Sequence, residues 1–304
     1  MSLPPTQAAG PPPADVVIPT FNDGPRLSRA VASALALPCV ARVIVVDDGS
    51  DPPARIDLPD LQQHADRVTL IRQPNAGPSA ARNAALDRVS SPYCVFLDAD
   101  DTLLPDIDLA LRFAAAHNFA AVVSARVDLA ADGSERPKSV PPEWADRPLP
   151  SPEDVWRPIW LFGMPGVVLH RRVIDAGLRF DLSLKGPEDR EFLHRVAARG
   201  PIGVCSARVV RYTLPSEASL TGSRNFPRMC ADVLRLLDAR CNDAGRAHWQ
   251  QTLAWYAGTL ARRRPQTTVE RDLWTTMTAA CSRHGLRLPL KARLRMALGR
   301  LTPR

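Results

Sequence analysis

Apolar residues in this chain come in short runs that alternate with helical patterns. Val16-Val17-Ile18 is the first run and is ended by Pro19. A 3.6-residue pattern follows over residues 25–37, with Leu27, Val31, Ala34 and Leu35 on one face. Val43-Ile44-Val45-Val46 and residues 68–71 predict two further strands. Residues 78–89 read as a helix, with Gly77 as its cap and Pro78 at the first position, where a missing N–H costs nothing. Residues 93–97 predict a strand ending at Asp98. Beyond it the pattern predicts a helix over about 105–117, a strand near 120–127 and an irregular, Pro-rich excursion over 132–158. A strand over 166–170 follows, then an amphipathic helix over 187–199 with Phe192, Leu193 and Val196 facing inward, and a strand over 202–210. Residues 213–225 read as a loop, and from Phe226 onward the pattern is helical, broken at Pro265 and Pro289.

Short apolar strands alternating with helices imply an α/β fold built on a parallel sheet with helices on both faces. In such sheets ligands bind at the carboxyl ends of the strands. Three polar clusters, Thr20-Phe21-Asn22-Asp23, Asp47-Asp48 and Asp98-Ala99-Asp100-Asp101, each follow directly on a strand and are expected to converge on one crevice.

Composition narrows the class. With 304 residues, 45% hydrophobic and 23% charged, the chain is neither wholly disordered nor membrane-embedded. The formal charge of +7 is uneven: residues 226–304 hold 15 basic and 5 acidic side chains, whereas residues 1–225 hold 24 and 27. A uniform nucleic-acid-binding surface does not fit an acidic body with a basic tail. The six cysteines make no CxxC pair and read as reduced, packed thiols, and the six histidines show no metal-ligand spacing. Residues 1–13 read as a disordered leader without the basic and apolar regions of a signal peptide. No stretch approaches the roughly 20 apolar residues of a membrane span, so a cytoplasmic protein is expected.

Four clusters carry candidate chemistry. Asp98 and Asp100, one residue apart after a buried strand, can hold a hard divalent cation, though a solvated acidic turn has the same pattern. Asp47 and Asp48 can accept a hydrogen bond from a base N–H, and Gly49 lets the backbone turn; an Asx-rich turn is the alternative. The run Asn75-Ala76-Gly77-Pro78-Ser79-Ala80-Ala81-Arg82-Asn83 places Arg82 in the first turns of a helix aimed at the crevice, where it favours an anion or nucleotide edge, unless it is an ordinary surface Arg. Glu188-Asp189 opens a helix, where acidic residues serve the helix dipole or act as a general base. A serine-hydrolase elbow, a P-loop and a dinucleotide GxGxxG are absent.

The order of these motifs is more specific than any one of them. Val-Val-Ile-Pro-Thr-Phe-Asn (16–22), Val-Ile-Val-Val-Asp-Asp-Gly-Ser (43–50), the run 75–83, Tyr-Cys-Val-Phe-Leu-Asp-Ala-Asp-Asp (93–101) and Gly-Pro-Glu-Asp-Arg-Glu-Phe-Leu (186–193) together resemble the inverting nucleotide-sugar glycosyltransferases of family 2. The resemblance runs from about residue 14 to 221. It implies an α/β GT-A fold, the Rossmann-like fold of nucleotide-diphospho-sugar transferases, over residues 14–225, with residues 226–304 as a basic helical C-terminal extension. It also implies roles. Pro19 and Phe21, where a Tyr is common, would line the nucleobase pocket. Asp48, with Asp47, would bind the base, and Asn75 and Arg82 the nucleotide. Asp98 and its neighbour Ala99 would lie at ribose or metal, and Asp100 would be the main ligand of a Mg2+ or Mn2+ ion. Asp189 would be the catalytic base and Glu188 would bind acceptor hydroxyls, with Trp160 and Met164 as further acceptor contacts. One departure concerns the Tyr-x-x-His setting of many members: here Tyr212-Thr213-Leu214 leads to Pro215, and Arg211 or Arg224 is the candidate to compensate.

The implied reaction is an in-line displacement that moves a sugar from a nucleotide-diphosphate sugar, a UDP-sugar first, to a hydroxyl of a glycan or lipid-linked acceptor, with inversion. A non-catalytic binding module would have lost Asp100 or Asp189, and a sugar nucleotidyltransferase would carry a Gly-rich loop with Arg and Lys after the first strand; neither pattern is seen. In the tail, Leu290, Leu294, Leu298 and Leu301 share a helical face, with Lys291, Arg293, Arg295 and Arg300 elsewhere. That suits an interfacial helix peripheral to the inner face of a membrane, and equally a packed terminal helix with a solvated basic face.

Overall fold

The computed structural model describes residues 10–58, 61–157, 160–184 and 186–214, and beyond these parts of 232–285. The chain divides into two compact units: residues 1–152, 161–182 and 188–214 form the first, and residues 153–160, 183–187 and 215–304 the second.

The first unit is a ten-stranded mixed sheet with helices packed on it. β1 (Ala14–Thr20), β2 (Val40–Asp47), β3 (Val68–Arg72) and β4 (Tyr93–Phe96) run parallel in the order β3-β2-β1-β4. β1, β2 and β4 are almost wholly buried apolar runs, as strands covered on both faces require, whereas the edge strand β3 is half-buried to exposed, with Leu70 at the surface. β1 runs through Pro19 rather than stopping at it. Proline cannot donate to a ladder, and here the β1–β4 ladder has already ended at Val17 with Phe96. α1 (Pro25–Leu35) and α2 (Pro78–Leu86) return the chain between parallel strands and stop short of the predicted ends. α1 buries Leu27, Ala30, Val31, Ala34 and Leu35, the apolar face legible in the sequence.

The second half of the sheet corrects the expectation of a parallel sheet. After α3 (Ile107–Ala116) the order continues from β4 through β9 (Val168–His170), β6 (Ala121–Leu129) and β10 (Ile202–Thr213) to β5 (Thr102–Leu103), and β9 runs antiparallel between β4 and β6. The loop at Gly163 to Gly166 delivers the chain to the carboxyl end of β4, where the Gly166 N–H donates to the Phe96 carbonyl, so the strand that follows can only run back down. Strand direction leaves no trace in a three-residue apolar run. β5 (Thr102–Leu103) and β8 (Arg147–Pro148) pair antiparallel with β10 (Ile202–Thr213), and β7 (Glu135–Lys138) with β6. The irregular 132–158 excursion thus holds two short edge strands. α4 (Arg171–Asp175) and α5 (Glu188–Ala197) complete the unit.

At the amino end of the sheet, Asp15 is fully buried. It accepts from Arg42 Nη2 at 2.7 Å, the Ser90 N–H at 2.7 Å and the Ser91 hydroxyl at 2.7 Å. Burial alone would raise its pKa, but these donors outweigh it and hold the carboxyl below the ordinary value.

In the second unit, the helix Thr268–Arg283 falls between Pro265 and Pro289, with Leu273, Trp274, Met277, Ala280 and Cys281 buried. Asp238 pairs there with Arg283 and His284. Cys39, Cys94, Cys205 and Cys281 are buried. Among the described residues no helix is long and apolar enough to cross a membrane. Residues 1–9 of the leader predicted over 1–13, Arg224, and the amphipathic pattern at 290–301 lie outside the described residues.

Candidate functional site

The carboxyl ends of β1, β2, β3 and β4 bring their loops together, and side chains lace them. The Asn22 N–H donates to Ser50 Oγ at 2.9 Å, and Asn22 Oδ1 accepts from the Asp51 N–H at 2.9 Å. Asn22 sits at φ 59°, a left-handed conformation that Asn tolerates better than most side chains. Gly49 sits at φ 80°, and a Cβ there would lie 2.8 Å from the Asn75 nitrogen. Only glycine lets the loops after β2 and β3 approach so closely.

Asp47 and Asp48 are both buried and both hold loops. Asp47 accepts from the N–H groups of Ser50 and Ala54 and from Arg72 Nη1 at 3.0 Å. Burial would raise its pKa, and these donors hold it below the usual value. Asp48 accepts from Gln73 Nε2 at 2.7 Å and from the N–H groups of Ala76 and Gly77 at 2.9 and 2.8 Å. Asp48 thereby fixes the turn that presents Asn75, which is exposed, and the start of α2. Phe21 is 49% exposed and open to a stacking partner; Pro19 is half-buried near the end of β1. Arg72, which sequence reasoning missed, ties Asp47 to the Ser50 carbonyl. Its signal was an arginine at a strand's carboxyl end.

The loop after β4 carries a concentrated negative charge. Oxygens of Asp98, Asp100 and Asp101 lie within 4.8 Å of one another, while Ala99 is buried between them. Burial, then the charges of Asp98 and Asp23, push the Asp100 carboxyl up to about 6. Asp101 is raised well above the usual range, first by burial and then by Asp98 and Asp100. One Asp101 oxygen accepts from the Thr213 N–H at 2.7 Å, and the other is buried with no partner. An orphaned carboxylate oxygen inside a cluster of hard oxygen donors fits a divalent cation. Asp101, overlooked in the sequence, belongs to this cluster as fully as Asp98 and Asp100.

Arg82 links this cluster to α5. It is 5% exposed, donates from Nη2 to Asp98 Oδ1 at 3.1 Å and from Nη1 to Asp189 Oδ1 at 3.1 Å. Its guanidinium carbon lies 5.5 Å from the centre of the Phe180 ring, which stacks on Phe192 at 4.0 Å. Asn83, next in the same motif, clamps the backbone of Phe180 with both amide atoms. The side-chain partners of Arg82 are thus carboxylates. Asp189 accepts on its other oxygen from the Met164 N–H at 3.2 Å. Burial pushes Asp189 up to about 7; Arg82 opposes that, and Glu188 and Asp98 add to it. Glu188 stands beside it at the first position of α5.

Of the two expected acceptor contacts, Met164 and Trp160, the first lies in the unit that holds this site. The Met164 side chain is fully buried in the core, so this residue serves the site through its backbone N–H. Trp160 belongs to the second unit. Arg211, a candidate for the missing histidine, is engaged by Glu135 at 2.6 Å.

Comparison with known proteins gives the family and the fold. The family model "Glycosyl transferase family 2" matches residues 15–177, more than half of the chain. The chain belongs to glycosyl transferase family 2. Over 96 residues it is 45% identical to the succinoglycan biosynthesis protein ExoW of Rhizobium meliloti (strain 1021), 30% of each chain. Over 87 residues it is 41% identical to a pre-mycofactocin glycosyltransferase of Mycobacterium tuberculosis (strain ATCC 25618 / H37Rv), 29% of this chain and 17% of the relative. The matches therefore span less than a third of the length of these curated relatives. The fold is that of S. aureus TarS residues 1–349, solved with UDP-GlcNAc: TM-score 0.67 at 18% identity, covering 94% of this chain and 89% of that one. It is the GT-A fold.

Proposed function

We propose that this chain is a metal-dependent, inverting glycosyltransferase that moves a sugar from a nucleotide-diphosphate sugar, most simply a UDP-sugar, to a hydroxyl of a glycan or lipid-linked acceptor. One observation carries the reading. A carboxyl pushed up to about 7, Asp189, and a carboxylate cluster suited to a cation, Asp98, Asp100 and Asp101, are joined by a single guanidinium that bonds Asp189 and Asp98. The family, the succinoglycan relative and the UDP-GlcNAc complex of TarS support the substrate class.

Asp98, Asp100 and Asp101 would hold a Mg2+ or Mn2+ ion, which when bound neutralises the departing diphosphate. The rest is the chain's own. Phe21 and Pro19 offer an apolar face to a nucleobase, and Asp48 shapes the loop that carries Asn75 toward it. Asp189 takes the proton of the attacking hydroxyl at its Oδ atoms, and a pKa near the working pH suits a base that must both accept and release a proton. Arg82 and the Met164 N–H hold that carboxylate from two sides.

UDP release from a panel of UDP-glucose, UDP-galactose and UDP-N-acetylglucosamine, with Mn2+ and with chelator, tests the reading. The expected result is Mn2+-dependent release, with the product anomer inverted by NMR. No release from any donor, or a retained anomer, overturns it.

A further inference from the structure

We infer that Arg82 is a positioning residue for the base: its guanidinium orients Asp189 and couples it to Asp98, rather than serving chiefly as a nucleotide contact. The inference rests on the transferase reading and deepens it.

The geometry is that of a bridge. A guanidinium has a rigid planar fork, and here each terminal nitrogen is committed to a different carboxylate at 3.1 Å. The third nitrogen, Nε, is buried without a partner. Burying a guanidinium and leaving one donor unsatisfied is costly, and the two side-chain acceptors, Asp98 and Asp189, offset part of that cost. The surroundings leave Arg82 little freedom. Phe180 lies under the guanidinium, and Asn83 pins the Phe180 backbone from the same helical turn of α2.

The consequence falls on Asp189. Its Oδ1 is held by Arg82 and its Oδ2 by the Met164 N–H, so the carboxylate plane is set from α2 on one side and from the loop before β9 on the other. Of the charged groups that act on it most strongly, Arg82 is the cation and Glu188 and Asp98 are like charges. Without Arg82, Asp189 would face like charges and lose one of its two anchors. The other end of the bridge rests on Asp98, in the donor cluster. Donor side and base are therefore held in fixed register by one side chain, which is what an in-line displacement needs.

The test compares Arg82→Gln and Arg82→Lys with Asp189→Asn and with the double variant carrying Arg82→Gln and Asp189→Asn. Rates are UDP release with Mn2+ on whichever of the three UDP-sugars the wild-type chain turns over fastest, and affinities are for UDP with Mn2+ by calorimetry. The expected result is that Arg82→Gln lowers kcat on the order of 100-fold while UDP affinity changes less than about threefold. Arg82→Lys, which keeps the charge but not the fork, should recover part of the rate, and it carries the test alone should the Gln variant fail to fold. Asp189→Asn should be slower still, with the double variant no slower than Asp189→Asn. An Arg82 variant that loses UDP affinity about tenfold or more at unchanged kcat, or a double variant whose losses multiply, overturns the inference and leaves the transferase reading standing. Full activity in Asp189→Asn, or no UDP release by the wild type, overturns both.

Discussion

Asp189→Asn is expected to make the protein more stable and inactive together. Asp189 is held at about 7 against an ordinary value of 3.8. The sign follows from proton counting. Below the unfolded-state value both states carry a neutral carboxyl, and Asn, its neutral mimic, should be nearly equal in stability to wild type. Between that value and about 7 the unfolded chain ionises and the folded chain does not, so wild type loses stability relative to the variant with each unit of pH. Above about 7 the loss is complete. A rise of about three units corresponds to at most about 4 kcal/mol, and the real figure should be smaller because the Asp189 side chain is 25% exposed. Urea unfolding of both proteins at pH 4 and pH 8 without metal measures the difference. The variant should gain stability relative to wild type by about 1–3 kcal/mol between the two pH values, and added Mn2+, a positive charge nearby, should shrink the gap. In parallel, UDP release should fall by about 10²–10⁴-fold, the usual contribution of a general base. A stability difference that does not grow with pH would refute the strained-carboxylate argument, and a variant with near-normal turnover would refute the base.

Asp101→Asn should abolish most of the Mn2+-induced rise in Tm, as should Asp100→Asn; an undiminished shift would remove Asp101 from the cation cluster. Asp15→Ala should destabilise by about 3–5 kcal/mol by urea unfolding, because Arg42 and two N–H groups lose a fully buried acceptor. Since the Asp15 pKa is lowered, its stabilisation is present above the unfolded-state value and is lost as pH falls through the folded one, so the effect of Asp15→Ala should diminish in acid. Gly49→Ala should cost about 1–3 kcal/mol, combining a positive φ with the approach to the Asn75 nitrogen, and should weaken UDP binding by calorimetry; a neutral effect on both would show that the loops after β2 and β3 can part freely.

Much of the first half was legible in the sequence. Val43 to Val46 and Tyr93 to Phe96 are unbroken apolar runs, and only a strand covered on both faces makes a run so short and so apolar. Because parallel strands put their carboxyl ends together, the strand pattern alone assigns Asp47, Asp98 and Asp100 to one crevice. The direction of β9 could not be read, because pairing sense depends on where a loop delivers the chain and not on the residues of the strand. Neither could the partners of Arg82 and Met164. Arg82 lies 107 positions from Asp189, and the N–H of Met164 lies 25 positions from the same carboxylate. Residue type announces that a guanidinium wants anions and that an aspartate can be a base. Which anion it meets, which thioether is turned inward so that only its backbone faces the site, and how far burial and neighbouring charge lift a carboxylate toward neutrality are properties of distance and dielectric. Those exist only once the chain is folded.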